Sequence, residues 1–109
     1  ERFLLPTLRA GGVGCISATA NVNPRAISAL GASWQDDDAD ANQQGLNEIR
    51  DIFESVPMIP ALKAATAHFS GDAGWDRLRP PLVSLDEGQR DKLLTALKRV
   101  GFTMPGVAG

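Results

Sequence analysis

Apolar residues recur at helical spacing along most of the chain. Leu46, Ile49, Phe53 and Val56 fall at i, i+3, i+7 and i+10 and predict a helix. One of Asp36, Asp37 and Asp38 is expected to cap it, with acidic charge at the positive end of the dipole, and Pro57 ends it. Pro60 opens the next helix, with Ile59, Leu62 and Phe69 on one face and Thr66 between them. The Thr66 methyl can pack there while its hydroxyl bonds back to a carbonyl one turn earlier. Ser70-Gly71-Asp72 close that helix, and Pro80-Pro81 keep the connector Gly74 to Val83 out of helix. Ser84-Leu85-Asp86-Glu87 has capping-box form ahead of a stripe at Leu93, Leu94, Leu97 and Val100. Gly101 suits the left-handed position after that helix, folding Phe102 back towards Leu97, and the tail Met104 to Gly109 is expected to fray.

Upstream, Asn23 caps and Pro24 opens a helix through Ala26, Ile27 and Leu30 to about Trp34. Phe3, Leu4, Leu5 and Leu8 form a shorter apolar stripe that Gly11-Gly12 stop. No Ser, Thr, Asp or Asn cap precedes this stripe, so the chain is expected to open partway through an element. Val13-Gly14-Cys15-Ile16-Ser17 alone reads as a strand: short, apolar and partly β-branched. A single strand leaves both edges unpaired, and even a two-stranded hairpin is marginal in water. The pattern therefore predicts a piece of a larger sheet protein.

Composition narrows the function. A chain of 109 residues with a net charge of −2 and 43% hydrophobic residues has the make-up of a folded domain. That balance is a poor match for nucleic acid or an anionic membrane, which attract clustered basic surface. No apolar run approaches a membrane span, and no segment reads as a signal peptide. The single cysteine, Cys15, excludes an internal disulfide framework and any zinc-type spacing, so a reduced cytoplasmic setting is the default.

The remaining candidates for chemistry each have a plainer explanation. Gly12-Val13-Gly14 precede the strand, whereas dinucleotide-binding glycines follow one. Cys15 is expected to be a small buried hydrophobe. His68, the one histidine, sits near a helix end and has no second ligand at i±4. Asp36-Asp37-Asp38-Ala39-Asp40 lacks the glycine and distal glutamate of a calcium loop and reads as a solvated helix start. Trp34 and Trp75 are expected to anchor packing between helices.

Three stretches together resemble a known family. Gly14-Cys15-Ile16-Ser17-Ala18-Thr19-Ala20-Asn21, with Pro24 beyond, resembles the last barrel strand and following loop of the dihydrodipicolinate synthase / N-acetylneuraminate lyase family. Pro57-Met58-Ile59-Pro60-Ala61-Leu62-Lys63-Ala64-Ala65 resembles its penultimate-helix motif, and Arg77-Leu78-Arg79-Pro80-Pro81-Leu82-Val83 its late connector. The resemblance implies an α/β fold: the C-terminal part of a (β/α)₈ TIM barrel, last strand and helix, followed by a three-helix extension. The chain itself would then be mostly α, with residues 1–35 the last βα portion and 36–109 the extension. A complete barrel of this kind needs about 250 residues.

The implied activity is class I, Schiff-base chemistry on pyruvate-like substrates, joined to or cleaved from an aldehyde, with no cofactor and no metal. A sialic acid or 2-keto-3-deoxy sugar acid lyase or dehydratase is the close alternative. The family's reactive lysine and its assisting tyrosine belong to earlier strands, and this chain contains no tyrosine. Lys63 lies within the helical motif and is not that lysine, so no catalytic residue is assigned and the chain alone is expected to be inactive. By the same resemblance Ile16 and Ser17, at the strand's end, are substrate-binding. Gly14 and Ile16 would face inward, with Val13, Cys15 and Ser17 towards the helices. The implied partners are the remainder of the barrel, the small-molecule substrate and further copies in a tetramer. The contrasting possibility is a non-enzymatic helical packing or interaction module.

Overall fold

A computed structural model describes residues 1–107; Ala108 and Gly109, the last two residues of the tail expected to fray, lie outside the described residues. The described residues form five α-helices: α1 (Leu4–Arg9), α2 (Pro24–Ser33), α3 (Ala39–Glu54), α4 (Met58–Ser70) and α5 (Glu87–Arg99). Two 3-10 turns, Ala18–Asn21 and Ala73–Asp76, lie between them. The mostly helical expectation holds. The strand at residues 13–17 does not: no residue among those described is in a β-ladder. At its Ser17 end the reason is the lack of a partner. Ser17 is extended at φ −142° and ψ 137°, but no second strand exists beside this segment to complete a ladder. Val13 and Ile16 are fully exposed, and Cys15, expected to be buried, is exposed for the same reason.

The chain divides into two compact units, Glu1–Arg50 and Asp51–Gly109. In the first, Leu4, Leu5, Leu30, Ala39 and Leu46 form the core, with Leu8, Ile27 and Trp34 packed against it. Phe3, expected on the α1 stripe, is 75% exposed because it sits at the N-cap position, outside the helix's buried face. Gly12 follows α1 so closely that a Cβ there would lie 2.3 Å from the Thr7 methyl, while its N–H donates to the Thr7 carbonyl at 2.8 Å. Pro24 opens α2 as expected, but the Asn23 side chain makes no capping bond.

In the second unit, α4 starts at Met58, and its buried face is Pro60, Ala61, Leu62, Ala64, Ala65 and Ala67. Ile59 is about half exposed, so the larger apolar residues mis-set the predicted face by leaving out the alanines. Thr66 does bond back to the Leu62 carbonyl, at 2.9 Å. The capping box ahead of α5 is shifted by two residues: Asp86, not Ser84, accepts from the Gln89 N–H at 2.7 Å, and the Asp86 N–H donates to Gln89 Oε1 at 3.1 Å. Ser84 instead donates to the Asp76 carbonyl at 3.2 Å.

Leu93 and Leu97 are wholly buried. Gly101 is left-handed at φ +68°, and the Phe102 N–H reaches the Leu97 carbonyl at 3.0 Å, as the sequence predicts. Phe102 then meets Phe53 and Phe69 edge-on, with ring centroids 5.9 and 5.5 Å apart. Met104, the first residue of the tail expected to fray, is buried, whereas Pro105 and Gly106 are exposed. Trp75 is about half exposed and anchors little.

Candidate functional site

The extended segment ends at a buried polar cluster. Ser17 lies between the end of that segment and the 3-10 turn, and its hydroxyl donates to Glu1 Oε2. The Ser17 oxygen lies 3.0 Å from Thr19 Oγ1 and 3.5 Å from Arg50 Nη1 on α3. Arg50 Nη1 also reaches Glu1 Oε2 at 3.3 Å. A hydroxyl has one proton to give and two lone pairs to fill. Donation to the carboxylate, with acceptance from Thr19 and Arg50, uses all three. Thr19 is fully buried, as is the Glu1 side chain, whose Oε1 finds no hydrogen-bond partner among the described residues.

A glutamine extends this cluster. Gln43 is buried on α3; its Nε2 donates to the Glu1 carbonyl at 2.9 Å and to Asn47 Oδ1 at 3.0 Å. Its Oε1 accepts the Leu5 N–H at 3.0 Å. In the first turn of α1, which has no side-chain cap from Phe3, the Leu4 N–H donates to the Glu1 carbonyl and the Leu5 N–H is satisfied from a residue 38 positions away. Sequence reasoning missed Glu1, Gln43 and Arg50. The available signal was a second periodicity in α3: Gln43, Asn47 and Arg50 recur at i, i+4 and i+7 beside the apolar stripe.

Ile16 and Ser17, the two predicted site residues, have opposite surroundings. The Ser17 side chain is taken up by Glu1, Thr19 and Arg50, whereas that of Ile16 is fully exposed. Successive side chains of an extended segment alternate in direction, so a Ser17 held on the helix side sends Ile16 the other way.

The other candidates lie apart from this cluster in sequence and chemistry. Lys63 is half-buried within α4. His68 is exposed, edge-on to Phe69, and lines an open groove of about 430 Å³ with Phe69, Leu94, Thr95, Lys98 and Phe102. Asp40 accepts a bidentate pair of hydrogen bonds from Arg9, both 2.9 Å. That hydrogen bonding holds the Asp40 carboxyl below its ordinary range and the Arg9 guanidinium above its own. Among the described residues, no three or more His, Cys, Asp or Glu side chains gather as a metal site would require. No helix among them is long and apolar enough to cross a membrane.

The sequence profile of the dihydrodipicolinate synthetase family matches residues 1–100. The chain belongs to that family. It is 36% identical over 100 residues to a 4-hydroxy-tetrahydrodipicolinate synthase of Gluconacetobacter diazotrophicus, a match covering 87% of this chain and 32% of the relative. A DapA-like lyase of Halobacterium salinarum is 34% identical, covering 94% of this chain and 34% of its own length. A 4-hydroxy-tetrahydrodipicolinate synthase of Methanopyrus kandleri is 33% identical over 97% of this chain and 36% of its own. The chain thus spans about a third of the length of the curated relatives it matches.

Proposed function

We propose that this chain is the C-terminal portion of a pyruvate-dependent, Schiff-base lyase of the dihydrodipicolinate synthase type. Residues 1–35 would supply the last βα portion of a (β/α)₈ barrel, and 36–109 the helical extension. The single observation that carries this reading is the exposed, unpaired segment Val13 to Ile16, whose Val13 and Ile16 side chains are fully exposed and which leads into an extended, half-buried Ser17, in a chain of this family. Such a segment has the form of a barrel strand awaiting neighbours on both edges.

Active sites of these barrels lie at the C-terminal ends of the strands, where Ile16 and Ser17 stand. Ile16 would present an apolar wall to the pyruvate unit. Ser17, with its hydroxyl engaged by Glu1, would contribute through its backbone. The lysine that attacks the keto carbon and the tyrosine that assists it would come from the remainder of the barrel, so no cofactor is needed. The substrate is pyruvate with an aldehyde, the setting cytoplasmic and the assembly a homo-tetramer.

A second reading is a helical packing module, favoured by the apolar interior that the second unit builds from Phe53, Phe69, Leu93, Leu97 and Phe102.

Pyruvate and borohydride, followed by mass measurement, distinguish the two. The chain alone should acquire no adduct. In place of the matching third of the Gluconacetobacter synthase, it should restore a pyruvate adduct to that host. An adduct on the isolated chain, or a folded chimera that traps nothing, would overturn the proposal.

A further inference from the structure

We infer that Glu1, Thr19 and Arg50 are positioning residues: together they latch the Ser17 hydroxyl and so fix the direction in which Ile16 points. The latch is defined by geometry within one compact unit. Its value for substrate binding rests on the lyase reading above.

Three features carry it. The first is reach: Glu1 precedes α1, Ser17 and Thr19 flank the start of the 3-10 turn, and Arg50 lies on α3, so three separate parts of the unit meet at one hydroxyl. The second is burial. Thr19 and the Glu1 side chain are fully buried, and such groups are held only where their hydrogen bonds are specific. The Glu1 carboxylate leaves Oε1 without a partner, so Oε2, with Ser17 and Arg50 on it, carries the compensation. The third is the contrast with what precedes it. Val13 to Ile16 carry no comparable anchor and are exposed, so the rotation of this segment is set at its Ser17 end. A one-residue slip there would exchange Ile16 for Cys15 on the pocket face.

The test uses the 109-residue chain and needs no substrate, so a failed latch and a failed lyase reading show in different experiments. The amides of Ala20, Val22 and Asn23 report on the turn, since they donate to the Ser17 and Thr19 carbonyls. Glu1→Gln, Ser17→Ala and Arg50→Met should each speed their hydrogen exchange at least about tenfold, the size that losing a hydrogen bond to a charged group gives. The HN–Hα coupling of Ser17, large for its extended φ, should fall towards an averaged value in the same variants. Arg50→Lys should restore most of the protection and the coupling, which a merely space-filling role for Arg50 would not require. Leu93 and Leu97 amides in α5 serve as the control for general unfolding. Should Glu1→Gln disturb those too, Ser17→Ala, which removes a single oxygen, decides the matter. Unchanged exchange and coupling in Ser17→Ala, or Arg50→Met behaving as Arg50→Lys does, would overturn the latch.

Discussion

The two compact units solve the same problem with opposite chemistry. In Glu1–Arg50, an apolar core is supplemented by polar groups that join distant parts of the chain: Gln43 bridges the Leu5 N–H and the Glu1 carbonyl, and Arg50 and Ser17 hold the Glu1 carboxylate. In Asp51–Gly109 they are joined by apolar ones, with Phe102 edge-on to Phe53 and Phe69 and with Leu93 and Leu97 buried on α5. The apolar solution is tolerant of direction, because burial is non-directional and scales with area. The polar one is intolerant, because each buried donor or acceptor must find a partner at the right distance and angle. The first unit also leaves Phe3, Val13 and Ile16 exposed, so its polar cluster fixes orientation beside an apolar core of Leu4, Leu5, Leu30 and Leu46.

That contrast can be broken at the apolar end first. Phe53→Ala should produce the largest loss, about 3–5 kcal/mol for removing a fully buried aromatic ring. It should appear in urea denaturation and as faster exchange across α5. Gln43→Leu keeps bulk and apolar contact but strands the Leu5 N–H and takes from the Glu1 carbonyl one of its two donors, and should cost about 1–3 kcal/mol. Its diagnostic is exchange at Leu5, with α5 unaffected; an unchanged Leu5 amide would show that the first unit does not depend on its polar bridge. Asp86→Ala removes the cap of α5 and should cost about 1 kcal/mol, read as fraying confined to the first turn.

The smallest effect belongs to Asp40. Its folded pKa is depressed by the Arg9 hydrogen bonds, so its contribution is present above the unfolded carboxylate pKa and lost as pH falls through the folded value. Because the pair is open to solvent, Asp40→Asn should flatten the acid limb of a thermal-midpoint titration only slightly, and salt should mask the difference.

Local signals in the sequence located most helices and failed where the determinant was distant. Pro24 and Gly101 mark boundaries that the structure keeps, because each acts through its own backbone. By contrast, α3 stops at Glu54, short of Pro57, and α4 opens at Met58 with Pro57, not Pro60, at its start. Ser84-Leu85-Asp86-Glu87 offered two overlapping caps, and the choice of Asp86 with Gln89 was not resolvable by residue type, since both acceptors suit an N-cap. The α4 face was misread because alanine adds little to an apolar stripe although it packs as closely as leucine. The strand expected at 13–17 does not form: Ser17 is extended, but pairing depends on a second segment that local pattern does not reveal. At the candidate site, Ile16 and Ser17 were visible as the end of an apolar run. Glu1, Gln43 and Arg50 were not: the spacing of Gln43, Asn47 and Arg50 marks a polar stripe on α3, but the partners that build the cluster lie 16 to 49 positions away. No local spacing encodes such a separation.

The alanine face of α4 bears on how this helix can change over generations. Ala61, Ala64, Ala65 and Ala67 have no rotamers to freeze, so ordering them costs backbone entropy alone. The same smallness removes slack: a buried alanine can lose only one methyl and can gain volume only by displacing its neighbours, at about 1–3 kcal/mol per overpacked site. Drift along this face should therefore be confined to Gly, Ser and Ala, while the exposed Ile59, two residues before Ala61, remains free to vary.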